Sequence, residues 1–292
     1  MLRFKLYLKK KLRKILFLYK IFLFIYKIIN YPKNFLIRKK NMLIKRKSFE
    51  EFEKNNGLLK INYAGHNLIF KAFSPINYFH LKIGSQHENI FFEKLFKKIE
   101  EGMIVYDIGG HVGMYSLPFA KSVGPKGKVV VFEPEKKGLD SIQENLKLNK
   151  VHNVKLYPFA ISNKSSKSDF YIRPDKDTHS LFQETLAPSK TDKQKKVNIQ
   201  TYTIDDLIEK KIAPVPNFIK IDTEGAELKI LDGLKKNYNT LKYIFIEIHP
   251  DALGLENIFN PEEEVEKKLK NLGFDHIEYL DKIHILAKKN NV

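Results

Sequence analysis

From Met103 onward, short apolar runs alternate with amphipathic segments. Met103–Ile108, Lys128–Glu133, Val154–Phe159, Asn217–Asp222 and Tyr243–Ile248 are dense in Val, Ile and Phe, as strands buried on both faces must be. Between and after them, Val112–Ser122, Lys136–Asn149, Ala226–Lys236 and Pro261–Asn271 carry apolar residues at helical spacing. A last pair, Phe274–Tyr279 and Lys282–Ala287, reads as a hairpin around Leu280-Asp281. Strand and helix in alternation predict an α/β fold, a doubly wound and mostly parallel sheet with an antiparallel terminal hairpin. Upstream, Leu58–Tyr63 and Leu68–Phe73 predict a hairpin, and His87–Glu101 an amphipathic helix. Residues 162–196, rich in Ser, Lys, Asp and Thr, read as a long insertion with a short strand near Phe170, suited to a lid or substrate wall.

The first thirty residues follow another pattern. On a helix, Lys9, Arg13, Lys20 and Lys27 fall in one stripe, with Leu, Ile, Phe and Tyr elsewhere. That suits a helix lying in a membrane interface with lysines reaching the headgroups. A single spanning helix is the alternative: twelve Leu, Ile and Phe residues between Leu12 and Asn30 contribute about −5 kcal/mol to insertion, against about +3 for Lys20. Tyr31-Pro32 ends the helix, and a second basic stretch runs to Lys47. The chain is thus divided into a basic membrane-associating segment (1–47), a hairpin and helix (48–102) and a catalytic-type α/β domain (103–292). Membrane association at the cytoplasmic face is the expected location.

Charge sharpens this division. The net charge of the 292 residues is +18, yet residues 1–47 hold 16 Lys or Arg and no acid, leaving 36 basic against 34 acidic side chains in the rest. A nearly neutral body lacks the footprint of a phosphate-backbone binder, so nucleic acid is disfavoured as a partner. Without cysteine there is no disulfide framework and no thiolate metal site.

The densest chemistry lies where strands end. Asp107-Ile-Gly-Gly-His-Val-Gly113 joins an apolar strand to a helix. Gly109 and Gly110 allow a tight turn and close ligand approach. Gly113 permits close helix packing, and His111 sits where positive φ is common. Asp107 would repel a pyrophosphate but suits a cationic ligand such as S-adenosylmethionine, with its ammonium and sulfonium. Glu133, closing the next strand before Pro134, is placed to accept ribose hydroxyl protons. Phe159-Ala160 ends the third strand, an aromatic and a small residue able to flank adenine. Asp222, in Ile219-Lys-Ile-Asp-Thr-Glu-Gly225, and Glu247 with His249, in Ile244-Phe-Ile-Glu-Ile-His-Pro250, converge at the carboxyl edge where such sheets bind ligands. Asp222 is the first choice for general base or acceptor clamp, His249 the second, with Glu247 orienting it. A divalent ion held by these three is an alternative that is not favoured. Glu227 reads as a charge favouring a helix N-terminus.

Taken together, these stretches resemble the FkbM-type methyltransferases across roughly residues 85–250. The matching pieces are Asp107 to Gly113, Glu133-Pro134, Lys220-Ile-Asp-Thr-Glu-Gly225 and Glu247, and Thr203-Ile-Asp-Asp-Leu207 is similar to the family's segment before the fourth strand. His111 stands where the family usually has Asn. The resemblance implies a class I, Rossmann-like methyltransferase fold, S-adenosyl-L-methionine as cofactor, and O-methylation of a sugar, glycolipid or related hydroxyl-bearing acceptor. Two other classes compete: an RNA ribose 2'-O-methyltransferase, disfavoured by the neutral body, and a membrane-tethered scaffold with an inactive cofactor site, opposed by the joint presence of Asp107, the glycines, Glu133 and Asp222.

Overall fold

The computed structural model describes residues 42–63, 65–87, 89–173, 178–180, 195–236 and 238–289. Residues 1–41 of the tail expected to meet a membrane (1–47), and residues 174–177 and 181–194 of the insertion, lie outside them. No helix among the described residues is long and apolar enough to cross a membrane. The chain divides into two compact units, Met1–Glu51 and Phe52–Val292, four residues beyond the expected boundary at 47. In the first unit the described residues are helical, with Arg46 paired to Glu50 one turn on at 3.0 Å.

The second unit opens with a hairpin, β1 (Leu58–Tyr63) and β2 (His66–Lys71), turning between Tyr63 and His66. Two helices follow, α1 (Pro75–His87) and α2 (Asn89–Phe96). The expected single helix over His87–Glu101 is therefore the shorter α2, and α1 precedes it. Next come β3 (Ile104–Ile108), α3 (Ser116–Ser122), β4 (Lys128–Phe132), α4 (Lys136–Leu148) and β5 (Val154–Tyr157). β6 (Ala160–Ile161), β7 (Lys167–Arg173), β8 (Thr178–Ser180) and β9 (Lys195–Tyr202) form a separate four-stranded sheet in the order β6-β9-β7-β8. The short strand expected near Phe170 within the insertion is β7, which pairs antiparallel with β8 and β9. The chain then runs through α5 (Ile204–Glu209), β10 (Phe218–Ile221), α6 (Glu227–Asp232), β11 (Tyr243–Glu247), α7 (Pro250–Leu255), α8 (Pro261–Asn271), β12 (His276–Tyr279) and β13 (His284–Lys288).

The main sheet has seven strands in the order β12-β13-β11-β10-β3-β4-β5. β5, β4, β3, β10 and β11 are parallel, and β13 and β12 pair antiparallel at the end. This is the doubly wound, Rossmann-like arrangement expected. Because successive side chains point to opposite faces, Val105, Val129, Val131, Phe218 and Phe245 enter one core. Tyr106, Val130, Ile219, Ile244 and Ile246 enter the other. Burial on both faces is why these strands read as unbroken apolar runs. Strand order, not strand direction, switches at β3, with β4 on one side and β10 on the other, and ligands of such sheets bind in the crevice at the carboxyl edge of that switch.

Candidate active site

The first turn is built by backbone geometry. Gly109, His111 and Gly113 all carry positive φ, of 83°, 50° and 84°. A Cβ on Gly109 would stand 1.9 Å from the Asp222 carbonyl oxygen, so the tips of β3 and β10 touch only because residue 109 has no side chain. A Cβ on Gly110 would meet Val131 Cγ1 at 2.3 Å, pressing the turn against β4.

Behind this turn lies a charge that sequence reading passed over. Lys220 interrupts the apolar run of β10 and is 1% exposed. Sheet register places it beside Asp107. Its ammonium reaches Asp107 Oδ1 at 3.0 Å, Asp222 Oδ2 at 3.3 Å and the Gly109 carbonyl at 2.8 Å. Burial opposes the charge, but the two carboxylates outweigh it and hold the ammonium above its ordinary range. A lysine inside a buried strand needs such partners, and that was the available signal. Asp107 is 0% exposed and also accepts from Ser116 Oγ at 2.5 Å. It is absent from the cavity wall. Expected to face a cationic ligand, it instead anchors the lysine that underlies the turn.

A cavity of about 340 Å³ opens at this edge, within the usual size for a small-molecule site. Gly109, Gly110, His111, Glu133 and Ala160 line it, as does Asp222. Glu133 accepts from the backbone N–H of His111 and of Glu135, each at 2.8 Å. Burial nevertheless pushes its pKa up to about 7, because desolvation of the charged form outweighs both donors. Phe159 is not on the wall: it packs among Tyr202, Tyr157 and Phe132 at 4.6, 5.1 and 5.7 Å between ring centres. Phe132 and Ile161 stand in the lining in its place.

The acidic end gathers the other expected residues. One ligand atom each from Asp222, Glu247 and His249 lie within 4.8 Å of one another. His249 Nε2 is 3.8 Å from Asp222 Oδ1, Glu224 Oε2 and Glu247 Oε1 alike. Its Nδ1 donates to Glu227 Oε1 at 2.9 Å. Glu227, 0% exposed, also accepts from Gly225 N–H at 3.0 Å. The residue that orients His249 is therefore Glu227, expected only as a helix-end charge, and not Glu247. Glu247 sits opposite His284 in register, with Oε2 3.3 Å from His284 Nε2. Burial disfavours the His249 charge, yet Glu227, Glu224 and Asp222 push its pKa up to about 10. In its cationic form the imidazole donates hydrogen bonds to these acids.

Two carboxylates remain on the wall with opposite tendencies. For Asp222, burial is overcome by Lys220 and His249, which hold its carboxyl below the ordinary range. For Glu224, burial prevails over His249, aided by Asp222, Glu247 and Glu227, and its pKa rises. Its backbone is left-handed, with φ of 53°. Neighbouring acids driven apart in this way are the arrangement that acid–base chemistry uses.

A family model described as the methyltransferase FkbM domain matches residues 107–276. The hexuronic acid methyltransferase AglP of Haloferax volcanii is 27% identical over 158 residues, 53% of this chain. The match spans only 59% of that relative's own length. Methyltransferase 1 of Beauveria bassiana is 23% identical over 189 residues, 58% of this chain and 74% of the relative. Among solved structures, a SAM-dependent methyltransferase from Aquifex aeolicus aligns with a TM-score of 0.42 and 19% identity, over 70% of this chain and 93% of that one.

Proposed function

The chain belongs to the FkbM methyltransferase family, and from that premise we propose that it transfers a methyl group from S-adenosylmethionine to a hydroxyl of a sugar, glycolipid or related metabolite. One observation carries the reading. A buried carboxylate, Glu133, is pinned by two backbone N–H groups on the wall of a cavity that ends in Asp222 and Glu224. The donor set fits the cofactor: ionised Glu133 offers only acceptors to a ribose diol, and the acidic end suits a cation. When bound, S-adenosylmethionine supplies an electrophilic methyl group on a positively charged sulfur.

The protein's own residues supply the rest. Glu133 accepts the ribose hydroxyls, while Phe132, Ala160 and Ile161 give adenine an apolar wall. Asp222, held ionised by Lys220, accepts a hydrogen bond from the acceptor hydroxyl and orients its oxygen. Glu224, the more basic of the two acids, takes the proton as the new bond forms. The sugar acceptor is supported by the named substrate class of the AglP relative. The near-neutral charge beyond residue 47 speaks against RNA. A methyl-transfer screen over glycans, lipids and RNA tests this, and transfer to RNA alone would overturn it.

Glu133 gives a pH signature. Its free carboxyl is half protonated near pH 7, and only the charged form offers both oxygens as strong acceptors to the two ribose hydroxyls. Affinity for S-adenosylmethionine should therefore be full above pH 7 and fall as pH drops below it, with proton release on binding. Folding runs the other way: a pKa raised from 4.5 to about 7 contributes stability below pH 4.5 that is lost as pH rises through 7. Glu133→Ala should weaken binding by about 1–3 kcal/mol. Calorimetry at pH 6 and 8 reads both, and a pH-independent affinity for the cofactor would reject the assignment.

A second reading rests on the convergence of Asp222, Glu247 and His249. Oxygen and imidazole ligands suit Mg, Mn or Zn, and an ion there would activate the hydroxyl directly. Turnover lost to a chelator and restored by Mg or Mn supports this reading; chelator-insensitive turnover retires it.

We also propose that the basic tail holds the protein on anionic membrane. Sixteen basic residues without an acid each contribute about 1 kcal/mol near such a surface. Full-length protein should sediment with anionic vesicles and release as salt rises, since attraction is screened over about 10 Å at 0.1 M. Binding that survives high salt and alkaline carbonate would indicate a spanning helix instead. Removal belongs at residue 41 rather than 47, because residues 42–54 are helical.

A further inference from the structure

Asn77 is the third residue of α1. Its backbone N–H donates to Ser74 Oγ at 3.0 Å, and Pro75 follows the cap, so the start of the helix is fixed. The Asn77 side chain is 0% exposed, and neither its Nδ2 nor its Oδ1 has a hydrogen-bond partner among the described residues. It lines the same cavity as Gly109, Glu133 and Asp222. A buried amide with both halves unmet is costly and rare. On a cavity wall, a bound ligand is in a position to supply the missing partners.

The chemistry of the other walls narrows which part of the ligand that is. Ribose hydroxyls are donors and are met by Glu133. The end formed by Asp222 and Glu224 offers acceptors and repels an anion. The Lys220 ammonium is already engaged with Asp107, Asp222 and the Gly109 carbonyl. The carboxylate of an amino acid therefore needs a donor elsewhere, and its neighbouring ammonium needs an acceptor close by. One amide presents both, a fingerbreadth of chemistry apart: Nδ2 donates and Oδ1 accepts.

Resting on the S-adenosylmethionine reading above, we propose that Asn77 binds the α-amino-carboxylate end of the cofactor, with Nδ2 donating to the carboxylate and Oδ1 accepting from the ammonium. The helix that carries it lies before residue 107, where the family match begins. The hairpin-and-helix segment thus completes the cofactor site instead of merely leading into the domain.

The test is calorimetry on the full chain with three probes: S-adenosylmethionine, S-adenosylhomocysteine and 5'-methylthioadenosine. The last keeps adenine, ribose and sulfur but lacks the amino-carboxylate. Asn77→Leu keeps the branched side-chain skeleton, with somewhat more bulk beside the cavity, and leaves no polar atom unmet, so thermal unfolding should show a folded protein. Asn77→Ala serves if it does not. Either variant should lose about 10- to 100-fold in affinity for the first two probes and less than about threefold for methylthioadenosine. Equal losses for all three, or no loss with a raised KM for the acceptor, would overturn the proposal. A wild type that ignores all three probes would instead refute the cofactor reading on which it rests.

Discussion

Lys220→Met should destabilise the fold by about 3–5 kcal/mol, the usual cost of removing one partner of a buried ion pair. The size follows from where Asp107 sits: it is 0% exposed and has Lys220 and Ser116 as its polar contacts. Methionine fills the space of the aliphatic stem but leaves the carboxylate without a counter-charge. Against a typical total stability of about 5–15 kcal/mol, such a loss shows directly in a denaturant midpoint. Asp222, which is partly exposed, can turn to water, so the penalty falls on Asp107. The double variant Asp107→Asn, Lys220→Met should accordingly recover most of the stability, because the uncompensated charge is gone. Equilibrium unfolding in urea of the three proteins decides it. A Lys220→Met midpoint matching that of the wild type would show that the buried pair contributes nothing.

Asp222→Asn should cut turnover by about 10²-fold or more while leaving cofactor affinity within about threefold. The amide matches the carboxylate in volume, and its oxygen still accepts from Lys220, so the tip of β10 keeps its place. What is lost is the negative charge that aligns the acceptor hydroxyl, an interaction that matters most as the oxygen gives up its proton. Kinetics and calorimetry on the same preparation separate the two effects. Undiminished turnover would remove Asp222 from the chemistry. A loss of cofactor affinity equal to the loss of rate would make it a binding residue only.

Both expectations depend on contacts of very different visibility in the sequence. The five parallel strands were legible because burial on both faces forces runs such as Val129–Phe132. Helix α8 was legible to its ends because Asn260-Pro261 and three acids in the first turn announce it. The glycine turn was legible to the point of a positive φ at His111. Helix α1 escaped because its apolar residues form no clean stripe, though Ser74-Pro75 was a usable start signal. With it went Asn77, whose unmet amide exists only as a fact of packing. The pairing of His249 with Glu227 was invisible for another reason. Each residue has an innocent local reading, and only the juxtaposition of β11 with the start of α6 brings them to 2.9 Å. Lys220 stood in plain view within the family-like block, but its partner across the sheet is 113 positions away, set by register alone.

The 1.9 Å between a would-be Gly109 Cβ and the Asp222 carbonyl bears on how this gene can decay. Any codon change that gives residue 109 a side chain must push the tip of β10 aside, taking the Asp222 carboxylate with it. Every chemical residue could then remain spelled out in the gene while the product fell silent. Gene copies bearing this fold should therefore be sorted into working and extinct forms at codon 109 first, before any acidic codon is inspected.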